Sequence, residues 1–127
     1  MNRVEVRFAG SGGQGVVLMG VVLGQAAALH AGLFAAQTQS YGAEARGGAA
    51  RSDVVISSAP IDSPMVTAPD YLVAMCQEAL DANIGALKAA GTLLTERNLV
   101  QEVPPGWHGQ AFGFPVVWGP LPFLATR

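Results

Sequence analysis

Cys76 is the only cysteine of this 127-residue sequence, which excludes an intrachain disulfide and any cysteine-rich metal cluster. Charge is also scarce. Seven Lys/Arg face nine Asp/Glu for a net charge of −2, and no basic stripe or run of like charge is present to meet nucleic acid or an anionic membrane. No acid stands between Glu5 and Glu44, and no Lys or Arg between Arg7 and Arg46. His30 lies in an apolar run and His108 near the C-terminus, neither with an evident acid or nucleophile partner, which argues against a His-based hydrolytic triad. No spacing of His, Cys, Asp or Glu resembles a metal site. Internal repeats and low-complexity tracts are absent.

Apolar residues, by contrast, make up 50% of the chain, the composition of one compact domain with one core. Gly15 to Ala36 contains no charged residue apart from His30, so hydropathy alone would allow a membrane span or a signal-peptide core. The flanks argue otherwise. Arg3, Glu5 and Arg7 alternate with Val4, Val6 and Phe8, a strand pattern rather than a basic leader. A glycine-rich loop then intervenes, and Gln25, His30 and several Gly/Ala dilute the run. The expectation is a soluble chain, and the lone cysteine suits a reducing cytoplasm.

Periodicity predicts strand one over 4–9, a turn over 10–15 and a helix over 16–31 with no polar face, hence one buried on most sides. Gly20, Gly24 and Ala28 form a small-residue ridge on that helix for close approach of a neighbour. Gly32 is a C-terminal stop, and 33–38 reads as strand two. Strand, helix and strand make a βαβ unit with a right-handed crossover. Residues 39–52, QSYGAEARGGAARS, read as a functional loop. Strands follow at 53–57, 71–75 and 92–95, with a helix over 77–90 stopped by Gly91. Residues 60–69 hold three prolines and read as extended. The expected fold class is α/β: a Rossmann-like open, mostly parallel sheet with helices on its faces. Residues 1–100 form the α/β domain. Residues 101–127 form a C-terminal segment with five of the eight prolines and both tryptophans, packing on that domain or on a partner, with one more strand available at 110–114.

GSGGQG at 10–15 is a G-x-G-x-x-G sequence with the strand before and the helix after that the pattern requires. Such loops bring backbone N–H groups and a helix N-terminus to an anion. A dinucleotide site also needs an acid, or an Arg for the 2′-phosphate, after strand two. That strand ends in Gln37, Thr38 and Gln39, which argues against NAD and NADP. A tight packing turn and a contact with some other anion or a partner both remain open. In a parallel sheet ligands sit beyond the carboxyl ends of the strands. There the loop, the Gln39–Tyr41 segment, Glu44, Arg46, Cys76, Gln77 and Glu78 form a polar rim with no evident catalytic set.

Two blocks taken together, GSGGQGVVLMG at 10–20 and QSYGAEARGGAARSDVVIS at 39–57, followed by PD at 69–70 and MCQEAL at 75–80, resemble the gamma subunit or domain of the 2-oxoacid:ferredoxin oxidoreductases. The resemblance runs in order over residues 3–100. It implies an accessory α/β subunit of a complex that oxidatively decarboxylates a 2-oxoacid (pyruvate, 2-oxoisovalerate, 2-oxoglutarate or indolepyruvate) to an acyl-CoA and passes electrons to ferredoxin. Thiamine diphosphate and iron–sulfur clusters would sit on partner subunits, with coenzyme A as co-substrate and no cofactor held by this chain alone. Gly10, Gly12, Gly13, Gln14, Gly15, Tyr41, Gly42, Glu44, Arg46, Gly47 and Gly48 carry over as binding or interface positions, none as catalytic or metal-binding. The family continues with a further helical segment after residue 100, where this sequence has a Pro/Trp-rich tail. A stand-alone nucleotide-binding module and an inactive fragment are the alternatives.

Overall fold

The computed structural model describes residues 3–12, 14–40 and 49–115. Six strands form one sheet in the order β2-β3-β1-β4-β5-β6. They are β1 (Val4–Ser11), β2 (Phe34–Ser40), β3 (Ala49–Ser57), β4 (Tyr71–Ala74), β5 (Thr92–Glu96) and β6 (Gln110–Phe114). Two helices are described, α1 (Val16–Gln25) and α2 (Gln77–Asn83). The β1–β4, β4–β5 and β5–β6 pairings are parallel, whereas β3 runs antiparallel to both β1 and β2. The fold is α/β with a mixed sheet. β1 and β2 point the same way, as a βαβ unit requires, but β3 is inserted between them. The carboxyl ends of β1, β2, β4, β5 and β6 therefore share one rim, and the amino end of β3 joins them there.

The strict alternation of β1 splits the core into two layers. Phe8 packs with Val16, Val54, Val73 and Met75 on the α1 face. Ala9 packs with Leu72, Ala74, Leu80 and Leu93 on the α2 face. β4 and β5 alternate in the same way, with Val73 and Leu94 on one side and Leu72 and Leu93 on the other.

Four expectations need correction. The first helix is not buried on most sides: Leu18, Val22 and Leu29 are 64%, 56% and 74% exposed, and only Val16 and Gly20 of α1 are fully buried. The sheet covers one side of α1, and among the described residues no further layer covers the other. That helix also leaves α-helical geometry at Gln25 and ends in a π-helical turn, Ala26–His30. The second helix stops at Asn83 and gives way to one 3₁₀ turn, Ile84–Ala86, instead of running to Ala90. Asn83 Nδ2 donates to the Ala79 carbonyl at 2.8 Å, a back-bond that competes with helix continuation, and Gly85 follows, a poor helix former. Finally, β3 starts at Ala49, so the last four residues of the expected 39–52 loop are strand. Ala49, Ala50, Arg51 and Ser52 lack the branched and aromatic side chains that mark a strand. At the other edge Gln110–Phe114 does form a strand, parallel to β5, and Trp107 packs against the α2-side core.

Gly20 sets the height of α1 above the sheet. A Cβ there would fall 2.8 Å from Gln37 Nε2 and closer still to Ser52 Oγ. Gln37 Nε2 donates to the Val17 carbonyl at 3.1 Å and to Ser52 Oγ at 2.8 Å, so an amide from β2 fastens helix to sheet through the gap that glycine leaves.

Candidate functional site

β1 runs on through Gly10 and Ser11 before the chain turns into α1. Gly10 is a close-approach glycine: a Cβ there would meet Gln14 Oε1 at 2.6 Å and both Met75 Cβ and Val16 Cγ1 at 3.0 Å. Gly15 is the N-cap and has φ +77°, the left-handed region that favours glycine. Gly12 is exposed, with open space where a side chain would be. Gln14 locks the turn. Its Oε1 accepts from Ser11 N–H at 2.7 Å and its Nε2 donates to the Met75 carbonyl at 3.2 Å, tying the end of β1 to the end of β4. The amide of GSGGQG is thus the brace of the loop.

The first backbone bond of α1 runs from Met19 N–H to the Gly15 carbonyl at 2.9 Å. No side chain caps the helix start and no acid lies in its first turn, so the N–H groups of Val16 and Val17 stay available for an outside acceptor. They open on a cleft of about 310 Å³ lined by Ser11, Gly15, Val16, Val17 and Ala50. Of the expected site residues, Gly10, Gln14 and Gly15 are brought together here, with Gly12 at the outer lip. Gly13, Tyr41, Gly42, Glu44, Arg46, Gly47 and Gly48 lie outside the described residues. The two ends of that stretch are placed: Ser40 pairs with Arg51 and Ala49 with Ser11, both on the rim.

A charged constellation on the α2 face is not evident in the sequence. Arg7, which alternation marks as a solvent-facing residue, is 4% exposed. It meets Asp53, its cross-strand partner, through Nε–Oδ1 at 2.8 Å and a second bond at 3.3 Å, and also donates to the Val66 carbonyl at 2.9 Å. Arg51 approaches the same carboxylate, with Nε 3.6 Å from Oδ2. The available signal was an acid, Asp53, opening the apolar run DVVIS. Cys76 is half-buried and immediately precedes α2. Gln77 turns its side chain to the C-terminal segment: Oε1 accepts from Gln101 and Glu102 N–H at 2.8 and 3.0 Å. Among the described residues no group of three His, Cys, Asp or Glu gathers as a metal site, and no helix is long and apolar enough to cross a membrane.

Comparison with known proteins fits this architecture. The family model for pyruvate ferredoxin/flavodoxin oxidoreductase matches residues 5–118. The 2-oxoglutarate synthase subunit KorC of Methanothermobacter marburgensis is 58% identical over 100 residues, covering 79% of this chain and 54% of that protein. The gamma subunit of a keto/oxoacid ferredoxin oxidoreductase from Geobacter sulfurreducens superposes with a TM-score of 0.75 at 45% identity, over 88% of this chain and 61% of that one. A 2-oxoglutarate:ferredoxin oxidoreductase from Magnetococcus marinus, solved with 2-oxoglutarate, coenzyme A and succinyl-CoA bound, superposes with a TM-score of 0.72 at 26% identity, over 91% of this chain but 20% of that one. The chain spans about half the length of the curated relative it matches. With its mixed sheet, its braced glycine loop and a family match over most of its length, the chain belongs to the pyruvate ferredoxin/flavodoxin oxidoreductase family.

Proposed function

We propose that this chain acts as the gamma component of a cytoplasmic 2-oxoacid:ferredoxin oxidoreductase, with 2-oxoglutarate as its 2-oxoacid. The observation that carries the reading is the 58% identity to a 2-oxoglutarate synthase subunit over 100 residues, 79% of this chain. The reaction releases CO₂ from the 2-oxoacid, joins the remaining acyl group to coenzyme A and passes two electrons to ferredoxin. In this reading thiamine diphosphate and the iron–sulfur clusters sit on partner subunits, as the resemblance implies. No step of the chemistry is therefore assigned to a side chain of this chain.

Its contribution is binding and placement. The Val16 and Val17 N–H groups, held open by Gly15 and braced by Gln14, suit an oxyanion of coenzyme A. Tyr41, Gly42, Glu44, Arg46, Gly47 and Gly48 are further binding or interface positions of this proposal, on the sequence resemblance alone. The bare outer side of α1, with Leu18, Val22 and Leu29 exposed, suits burial against another subunit. The test is native co-purification. A tagged chain should bring down thiamine- and iron–sulfur-containing partners, and the assembly should reduce ferredoxin only when 2-oxoglutarate and coenzyme A are both supplied. Recovery of the chain without such partners, or activity with another 2-oxoacid alone, contradicts the reading.

A further inference from the structure

The sheet ends at β2 on one side, and among the described residues nothing pairs with the outer edge of that strand. An open edge presents a row of backbone N–H and C=O groups to another strand. Monomeric proteins blunt such edges with charges, proline, a bulge or a short strand. β2 has none of these. Its seven residues, FAAQTQS, carry no charge and no proline, and they pair with β3 residue for residue without a bulge. β6, at the other edge, is shorter, holds Gly113 and stops before Pro115.

The ground beside β2 is equally bare of charge. From Phe8 to Ala43 the sequence holds no Asp, Glu, Lys or Arg. An open groove of about 470 Å³ runs between β2 and α1, floored by Ala35, Ala36 and Gln37. Gln25, Ala28 and Leu29 stand along its far wall, and all three are exposed, Leu29 by 74%. Phe34, at the head of β2, is 48% exposed. A partner selected by opposite charge finds nothing to pair with here. An identical copy meets no repulsion, and apolar surface depleted of charge is the composition of homodimer interfaces. The polar side chains of the edge are glutamine, threonine and serine, each donor and acceptor at once, so they can meet their own kind.

We propose that β2 pairs antiparallel with β2 of a second copy of this chain, about a two-fold axis through Gln37, so that two six-stranded sheets become one and the two grooves merge across the axis. The opposed pairs are then Phe34 with Ser40, Ala35 with Gln39, Ala36 with Thr38 and Gln37 with Gln37, and no charge faces a like charge. Arg51 of the neighbouring strand pairs with Ser40, so the arginines of the two copies lie at opposite ends of the interface. An axis normal to the sheet keeps both α1 helices on one face, where Ala28 and Leu29 of each copy border the merged groove. Two-fold pairing of this kind is closed and stops at two chains. The inference stands on the geometry of this edge and not on the oxidoreductase reading.

Sedimentation of the full chain across a concentration series, with amide exchange over Phe34–Ser40, tests it. The chain should sediment as a dimer at the upper end of the series. The outward amides of β2 should exchange slowly in the dimer and fast on dilution to monomer. Leu29→Glu should weaken dimerisation at least tenfold, with its fold checked by far-UV circular dichroism. Ala28→Glu, on the same wall of the groove, should do the same and keeps the test valid if the first variant unfolds. Phe112→Glu, on the opposite edge strand at a residue 56% exposed, should leave the dimer intact. A chain that stays monomeric across the series overturns the proposal, as does a dimer that survives both groove variants or is split by Phe112→Glu. Slow β2 amides in a monomer put a segment of the same chain on this edge, and protection that appears only when partner subunits are added puts one of them there; either result overturns it. A monomeric chain that joins an active oxidoreductase refutes the dimer and leaves the family function intact.

Discussion

Gly20→Ala is the substitution with the most to say about how α1 sits on the sheet. On an exposed helix the change would stabilise by about 1 kcal/mol through helix propensity. Here the new methyl would press on Ser52 Oγ and lie 2.8 Å from Gln37 Nε2. Ser52 is fully buried on a central strand, so α1 has to lift. Overpacking of that kind costs about 1–3 kcal/mol. Lifting the helix also stretches the bonds from Gln37 to the Val17 carbonyl and to Ser52, each worth about 1 kcal/mol. The net expectation is a loss of about 2–3 kcal/mol in urea unfolding of the purified chain. Gly24→Ala, one turn along the same ridge, is the internal control: its Cβ would meet only Ala35 Cβ, at an ordinary 3.9 Å. That variant should be neutral or more stable than wild type. If Gly20→Ala and Gly24→Ala unfold at the same urea concentration, the close-approach account of α1 is wrong.

Other outcomes follow from the same geometry. Asp53→Asn leaves Arg7 buried without its countercharge and should destabilise by about 3–5 kcal/mol in denaturant titration; a loss below 1 kcal/mol would mean that Arg7 relaxes to water. Gln14→Ala removes both bonds of the loop brace and should raise amide exchange at Ser11 far more than at Met19, whose bond to Gly15 lies within the helix; equal changes would contradict the brace. Gln77→Ala should expose the 101–105 segment to protease, because the side chain caps two of its N–H groups; an unchanged cleavage rate speaks against that anchor. The Asp70 carboxylate, hydrogen-bonded to Lys88 Nζ at 2.8 Å, holds the ammonium above the usual lysine range. The folded value is the raised one, so this small stabilisation is present at neutral pH and lost as pH rises through it. Lys88→Met should therefore flatten the alkaline end of the stability profile, and a profile identical to wild type would rule the contribution out.

Most of this architecture could be read from the sequence because its signals are local. Alternation over Val4–Phe8 marked β1, and the apolar run Tyr71–Met75 marked β4. The Gly-rich turn between a strand and a helix marked the rim. What escaped depended on partners distant in sequence. Nothing local reveals that Arg7 is buried, because the bond that permits it comes from Asp53, 46 residues away. The antiparallel insertion of β3 is likewise a matter of pairing, and Ala49–Ser52 lacks the branched side chains that announce a strand. For α1 the error had another source. A helix with no polar face predicts burial on most sides, but periodicity reports what the side chains are and not how many layers cover them. Nothing local reveals the role of Gln14 either, because its side chain bonds to Met75, 61 residues away.

The measurement closest to the central claim is the activity of the natively assembled complex with this chain present and depleted. Assembly around the tagged chain should reduce ferredoxin with 2-oxoglutarate and coenzyme A, and removal of the chain should abolish that reduction, with return of the chain restoring it. Full 2-oxoglutarate- and coenzyme A-dependent ferredoxin reduction by partners that lack this chain would contradict the account.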